Sequence, residues 1–119
     1  MVSVGIDLVE VPRIRQLLER RGKRLLVRLF SPGEIEYALR ARPPLSYQRL
    51  AARFAAKEAF IKALGRPVPF REMEVVSKGS RPYLRWRGND YPLSLSHTGG
   101  FAIALVVIPE ELIPHQTGP

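Results

Sequence analysis

The sequence predicts an α+β fold, with helices packed on an antiparallel sheet. Three observations carry this. Between Pro12 and Leu64 apolar residues recur at helical spacing, between residues typical of helix ends. From Met73 onward short apolar runs are divided by glycine turns. Within that second half, residues 93–97 alternate leucine and serine, the period of a strand with two unlike faces.

The elements follow in order. Residues 4–9, VGIDLV, read as a short buried strand with one carboxylate in its middle. Pro12 suits the first turn of a helix running to about residue 30, and Gly22 is where it would divide. Ser31-Pro32-Gly33-Glu34 reads as a fresh helix start: Ser31 as N-cap, Pro32 at the first position, Glu34 as capping-box partner. That helix should end before Pro43-Pro44. An alanine-rich helix follows over about residues 46–64, and Gly65 supplies its stop. Residues 73–77 and 83–87 read as strands around a turn at Lys78-Gly79, with a second turn at residues 87–90. Thr98-Gly99-Gly100 turns the chain into a continuous apolar strand, residues 101–108. From Pro109 the chain should fray. With no internal repeat and no long linker, residues 1–119 are expected to form a single domain.

Composition narrows the function. The chain has 119 residues, 45% hydrophobic and 25% charged, ordinary for a globular protein. It has no cysteine, so disulfides and thiolate metal sites are excluded. No apolar run reaches the ~20 residues that span a bilayer. The first residues lack the features of a signal peptide, so a cytoplasmic protein without membrane contact is expected. The net charge of +8 attracts anions: nucleic acid, an acidic protein or a phosphorylated cofactor. The arginines are spread along the chain and form no basic tail, which argues against a disordered nucleic-acid arm.

Residues 50–64 hold four charges, Arg53, Lys57, Glu58 and Lys62, among Leu, Ala, Phe and Ile. At about 100° per residue, Leu50, Phe54, Ile61 and Leu64 share one side, with Lys57 inside that arc and Arg53 at its edge. Glu58 and Lys62 lie on another side, framed by Ala51, Ala55 and Ala59. Such a helix lacks a broad solvated face, so its charges need partners. A phosphate-rich ligand with a metal would supply them. Glu58 and Lys62 also have the spacing of an ordinary ion pair. Asp7, in an apolar strand, is either a structural cap or ion-pair residue or a metal ligand. Asp7 and Glu58, from separate elements, would suit Mg²⁺, which takes few protein ligands and keeps waters.

Ser96 and His97 are neighbours on a strand and point to opposite faces, which argues against a hydrolase pair. His97, before a Gly-Gly turn, is either a structural histidine or a ligand contact, and His115 is expected to be inert. There is no Walker A loop and no GxGxxG. Tyr83, Trp86 and Tyr91 lie among Arg81, Arg85 and Arg87, a mixture that packs a small sheet or stacks on single-stranded nucleic acid. A small nucleic-acid-binding module without catalysis is therefore the alternative reading.

Three segments, GIDLVEVPRI at residues 5–14, ARFAAKEAFIKALG at residues 52–65 and LSLSHT at residues 93–98, resemble the holo-acyl-carrier-protein synthase family of 4′-phosphopantetheinyl transferases. The resemblance implies that family's fold and a homotrimer with active sites between subunits. It implies transfer of the 4′-phosphopantetheine arm of coenzyme A to a serine of acyl carrier protein, with Mg²⁺ required and adenosine 3′,5′-bisphosphate released. Asp7 and Glu58 would hold the metal, and Lys62 would neutralise the diphosphate. Arg53, Lys57, His97 and Thr98 would contact coenzyme A phosphates or their surroundings, Gly65 would lie by the nucleotide, and Arg13 would meet the carrier protein. The serine proton would pass to Glu58 or to a metal-bound water. The chain departs from the family's Gly-Thr-Gly type loop at Gly65-Arg66-Pro67, where Arg66 could offer a charged fork to phosphate.

Overall fold

The structure, a computed structural model, describes residues 1–113. Strand β1 (Ser3–Glu10) leads into helices α1 (Val11–Arg21), α2 (Lys23–Leu29), α3 (Pro32–Leu39) and α4 (Leu45–Leu64). Strands β2 (Met73–Lys78), β3 (Arg81–Trp86), β4 (Asn89–His97) and β5 (Phe101–Ile108) follow. The sheet order is β1-β5-β4-β3-β2, and every neighbouring pair is antiparallel.

The long first helix divides at Gly22, whose φ of +72° suits glycine. Its N–H closes α1 on the carbonyl of Leu18. The Ser31–Glu34 capping box forms in full. Gly65 ends α4 in the left-handed conformation with its N–H on Ile61. The expectation of fraying from Pro109 is corrected in part: Glu110–Leu112 form a 3₁₀ turn, and Leu112 and Ile113 pack on the core. The rest of that segment, with His115, lies outside the described residues.

Helix α4 runs across β1 and β5 and is buried on nearly every side. The stripe of Leu50, Phe54, Ile61 and Leu64 packs on the two core clusters but is not what faces the sheet most closely. Of these only Leu50 is fully buried. The sheet receives Ala55, Ala56, Ala59, Phe60 and Ala63 instead, against Leu84, Trp86, Tyr91, Val106 and Ile108. Small residues win there because the strand comes close. A methyl group on Gly5 would overlap the carbonyl oxygen of Ala59 and stand 2.8 Å from the amide nitrogen of Ala63. The hydroxyl of Ser3 donates to the carbonyl of Ala63, fastening the same contact. Phe60 fills the centre, with ring centroids 5.4 Å from Trp86 and 4.9 Å from Tyr91. The far end of α4 packs Leu50, Ala51 and Ala52 on α1, α3 and Phe30.

Among the described residues no helix covers the opposite face of the sheet. Val4, Ile6 and Leu8 of β1 and Phe101, Ile103 and Leu105 of β5 are between 36% and 59% exposed. In register, Ile6 stands opposite Leu105 and Leu8 opposite Ile103, so the six form a continuous apolar surface.

Candidate active site

The close contact between β1 and α4 builds the first part of the site. Asp7 follows Gly5 by two residues and therefore shares its face, toward α4. Lys62 donates from Nζ to Asp7 Oδ1 at 2.7 Å and to the carbonyl of Ile6 at 3.1 Å. Glu58 stands one turn earlier on α4. Burial, and then the negative charge of Asp7, push its carboxyl above the usual range, while Lys62 pulls the other way. Asp7, Glu58 and Lys62 thus share one locale. The ordinary helix pair between Glu58 and Lys62 is corrected: the ammonium reaches across to the strand.

The donor set is all oxygen, which suits a hard divalent cation. Among the described residues no group of three or more His, Cys, Asp or Glu side chains could hold a metal. A cation here would take Asp7 and Glu58 and complete its shell from water and ligand oxygens.

A second cluster lies toward the start of α4. Tyr37 of α3 lies under two guanidinium groups, Arg49 at 4.5 Å and Arg53 at 4.2 Å from its ring centroid. Arg49 donates to the Tyr37 carbonyl at 2.9 Å, and Arg53 to the Arg49 carbonyl at 3.2 Å. Arg53 is 8% exposed, and its Nε has no acceptor among the described residues. His97, at the end of β4, meets Gln48 through Nδ1 and Oε1 at 2.8 Å. Burial, Arg53 and Arg49 hold the imidazole below its ordinary range.

Lys57 requires a correction. Its side chain is wholly buried, donating at 2.7 Å to Glu34 Oε1 and at 2.7 Å to the carbonyl of Leu29. An ammonium so enclosed cannot reach coenzyme A, and its role is to join α4 to α2 and α3. Thr98 is occupied by its turn: its hydroxyl oxygen accepts from the amides of Gly100 and Phe101, both at 3.2 Å. Gly65 opens onto free space beyond the end of α4. Arg66 stacks on Trp86 at 5.3 Å. Arg13 lines a cavity of about 390 Å³ with Leu8, Glu10, Leu17, Phe54 and Phe101. Trp86 and Tyr91, two of the aromatic residues that could have stacked on bases, are in the core.

Sequence reading missed Tyr37, Gln48 and Arg49. The signal for Arg49 was present, because Arg49, Arg53 and Lys57 are spaced by four and form one column on α4. Nothing local to Tyr37 marks it as their platform.

Two carboxylates and a lysine beside a cationic cluster, on an α+β frame, are the equipment of an enzyme that acts on a phosphorylated substrate. A sequence model described as the 4′-phosphopantetheinyl transferase superfamily matches residues 3–106. The chain belongs to that superfamily. It is 43% identical to a holo-(acyl-carrier-protein) synthase of Carboxydothermus hydrogenoformans, over 91% of this chain and 98% of the relative. The corresponding synthase of Thermus thermophilus is 42% identical, over 91% and 93%. Among solved structures, a Bacillus anthracis synthase in complex with CoA (3′,5′-ADP) superposes with a TM-score of 0.78 at 32% identity, covering 89% of this chain and 94% of that one. A Helicobacter pylori synthase in complex with coenzyme A gives a TM-score of 0.78 at 28% identity, covering 89% and 99%.

Proposed function

We propose that this protein is a holo-(acyl-carrier-protein) synthase: it transfers the 4′-phosphopantetheine group of coenzyme A to a serine of apo acyl carrier protein. The observation that carries the proposal is the meeting of Asp7, Glu58 and Lys62 where Gly5 lets β1 rest on α4, in a chain of this superfamily.

In the reaction the serine oxygen bonds to the phosphorus that bears the pantetheine arm. The diphosphate P–O bond breaks, and adenosine 3′,5′-bisphosphate leaves. Bound Mg²⁺ would supply charge neutralisation on the diphosphate, and Asp7 and Glu58 are the residues to hold it. Lys62 neutralises charge on the leaving phosphate, and positioned charges of this kind do most of the work in such transfers. Glu58 is the carboxylate placed to accept the serine proton.

Arg53 and His97, with the Thr98 hydroxyl proton, bind coenzyme phosphates, and Gly65 leaves room for the nucleotide. Arg13 meets the carrier protein, whose acidic surface is steered by the net charge of +8. We assign no role to nucleic acid. The substrates put the site of action in the cytoplasm. The open apolar face of β1 and β5 supports self-association as a homotrimer, with each site completed beside a neighbour.

The test is to mix the protein with apo carrier protein, coenzyme A and Mg²⁺. The expected result is a mass gain of one phosphopantetheine on the carrier, lost when Mg²⁺ is chelated. An unchanged carrier mass refutes the proposal.

A further inference from the structure

The His97 cluster holds more than the proposed function uses. Facing the ring from α4 are Gln48, Arg49 and Arg53. Tyr37 of α3 fixes the two arginines from below. The hydroxyl oxygen of Thr98, the next residue, is taken up by its own turn. The charges that act on His97 are those of the two guanidinium groups, and of these Arg53 itself feels the Glu34 carboxylate. The Nε of Arg53 is buried without an acceptor among the described residues, so the hydrogen-bonding capacity of this guanidinium is not fully met within the cluster.

We propose that Gln48 is a positioning residue. Its side-chain carbonyl takes the Nδ1 proton of His97 and turns Nε2 toward an incoming phosphate monoester, and the ring gains a proton at Nε2 when that phosphate binds. The inference rests on the reading that coenzyme A phosphates occupy this cluster. The chemistry follows from the geometry. A neutral imidazole with its proton on Nδ1 presents only an acceptor at Nε2, which repels a phosphate oxygen. Two guanidinium groups and partial burial oppose its protonation in the free protein. A phosphate dianion reverses that field, and solvent supplies the proton. Gln48, being neutral, orients the ring without charging it in advance.

The sign follows from linkage. The free ring titrates below the ordinary imidazole value and the bound ring above the free one. The ring's contribution to coenzyme affinity is fully present below the free-ring value and is lost as pH rises from there through the bound-ring value.

The experiment is calorimetric titration of coenzyme A into the Mg²⁺-loaded protein, in two buffers of different ionisation enthalpy. The wild type should take up a proton, approaching about one per coenzyme within that pH window. Gln48→Leu should lose most of this uptake and raise the KM for coenzyme A roughly tenfold, the cost of one hydrogen bond to a charged group, with a much smaller change in kcat. Gln48→Glu charges the ring beforehand, so it should abolish uptake while binding coenzyme A better than Gln48→Leu does. This second variant separates positioning from misfolding. Binding by the wild type without proton uptake overturns the proposal and leaves the enzymatic reading intact. Uptake and KM unchanged in Gln48→Leu also overturn it. No binding of coenzyme A and no mass gain on the carrier overturn both.

Discussion

Lys57 Nζ lies 2.7 Å from Glu34 Oε1, with both side chains closed off from solvent. The same carboxylate caps α3 through the amide of Ser31 at 2.8 Å and takes the amide of Val75 at 2.8 Å. One ion pair therefore joins α3, α4 and β2, and through the Leu29 carbonyl also the end of α2. Lys57→Met leaves a buried carboxylate without its counter-charge. Stability to denaturant should fall by about 3–5 kcal/mol. A loss below about 1 kcal/mol would show that the pair is not the joint described.

Gly5→Ala tests the contact on which the site depends. The added methyl meets helix backbone, which cannot rotate away. Overpacking typically costs about 1–3 kcal/mol, and the strand must move off α4. The expected outcome is a lower Tm together with loss of carrier modification. A variant with unchanged Tm and activity would contradict the packing.

Lys62 occupies the place of a cation beside Asp7. Lys62→Ala should bind Mg²⁺ more tightly in the absence of coenzyme A, while turnover falls by about 10²–10³-fold for loss of a charge-stabilising donor. Asp7→Ala or Glu58→Ala should abolish Mg²⁺-dependent modification with the fold kept, as judged by circular dichroism. Full activity in a folded Asp7→Ala protein would refute the metal assignment.

Leu8→Glu places a charge in the open apolar face, with Ile103 opposite. Light scattering after gel filtration should show a homotrimer for the wild type and a smaller species for the variant. An identical mass for both proteins would remove this face from the interface.

Asp90 holds the β3–β4 hairpin by accepting from Arg85 at 2.8 Å and pairing with Lys78 at 2.6 Å. These donors hold its carboxyl down to about 2. A carboxylate depressed in the folded state stabilises fully above its unfolded value of about 3.9 and loses that contribution as pH falls through its folded value. Asp90→Asn should therefore be less stable than the wild type at pH 6, by roughly 1 kcal/mol or less because the partners are solvated. The two should converge near pH 2. A gap that persists in acid would rule out this origin.

The elements and their order were legible because each carries a local mark: the capping box at Ser31, the left-handed stop at Gly65, the alternation of residues 93–97. The residues that meet at the site were legible only through their motifs. Asp7 and Glu58 stood out as carboxylates in apolar settings, yet the pairing of Asp7 with Lys62 depends on how closely β1 approaches α4. Lys57 shows the opposite failure. A charge in an apolar arc signalled a missing partner, and that partner was Glu34, 23 positions away, rather than a ligand. Long-range pairings of this kind leave no periodic trace along the chain.

The outward amide of Val75 is already engaged by Glu34. A stray strand that approached the margin of the sheet at β2 would find its central donor taken. The protein is thereby protected from growing by strand addition on that side, and any assembly it makes is directed elsewhere.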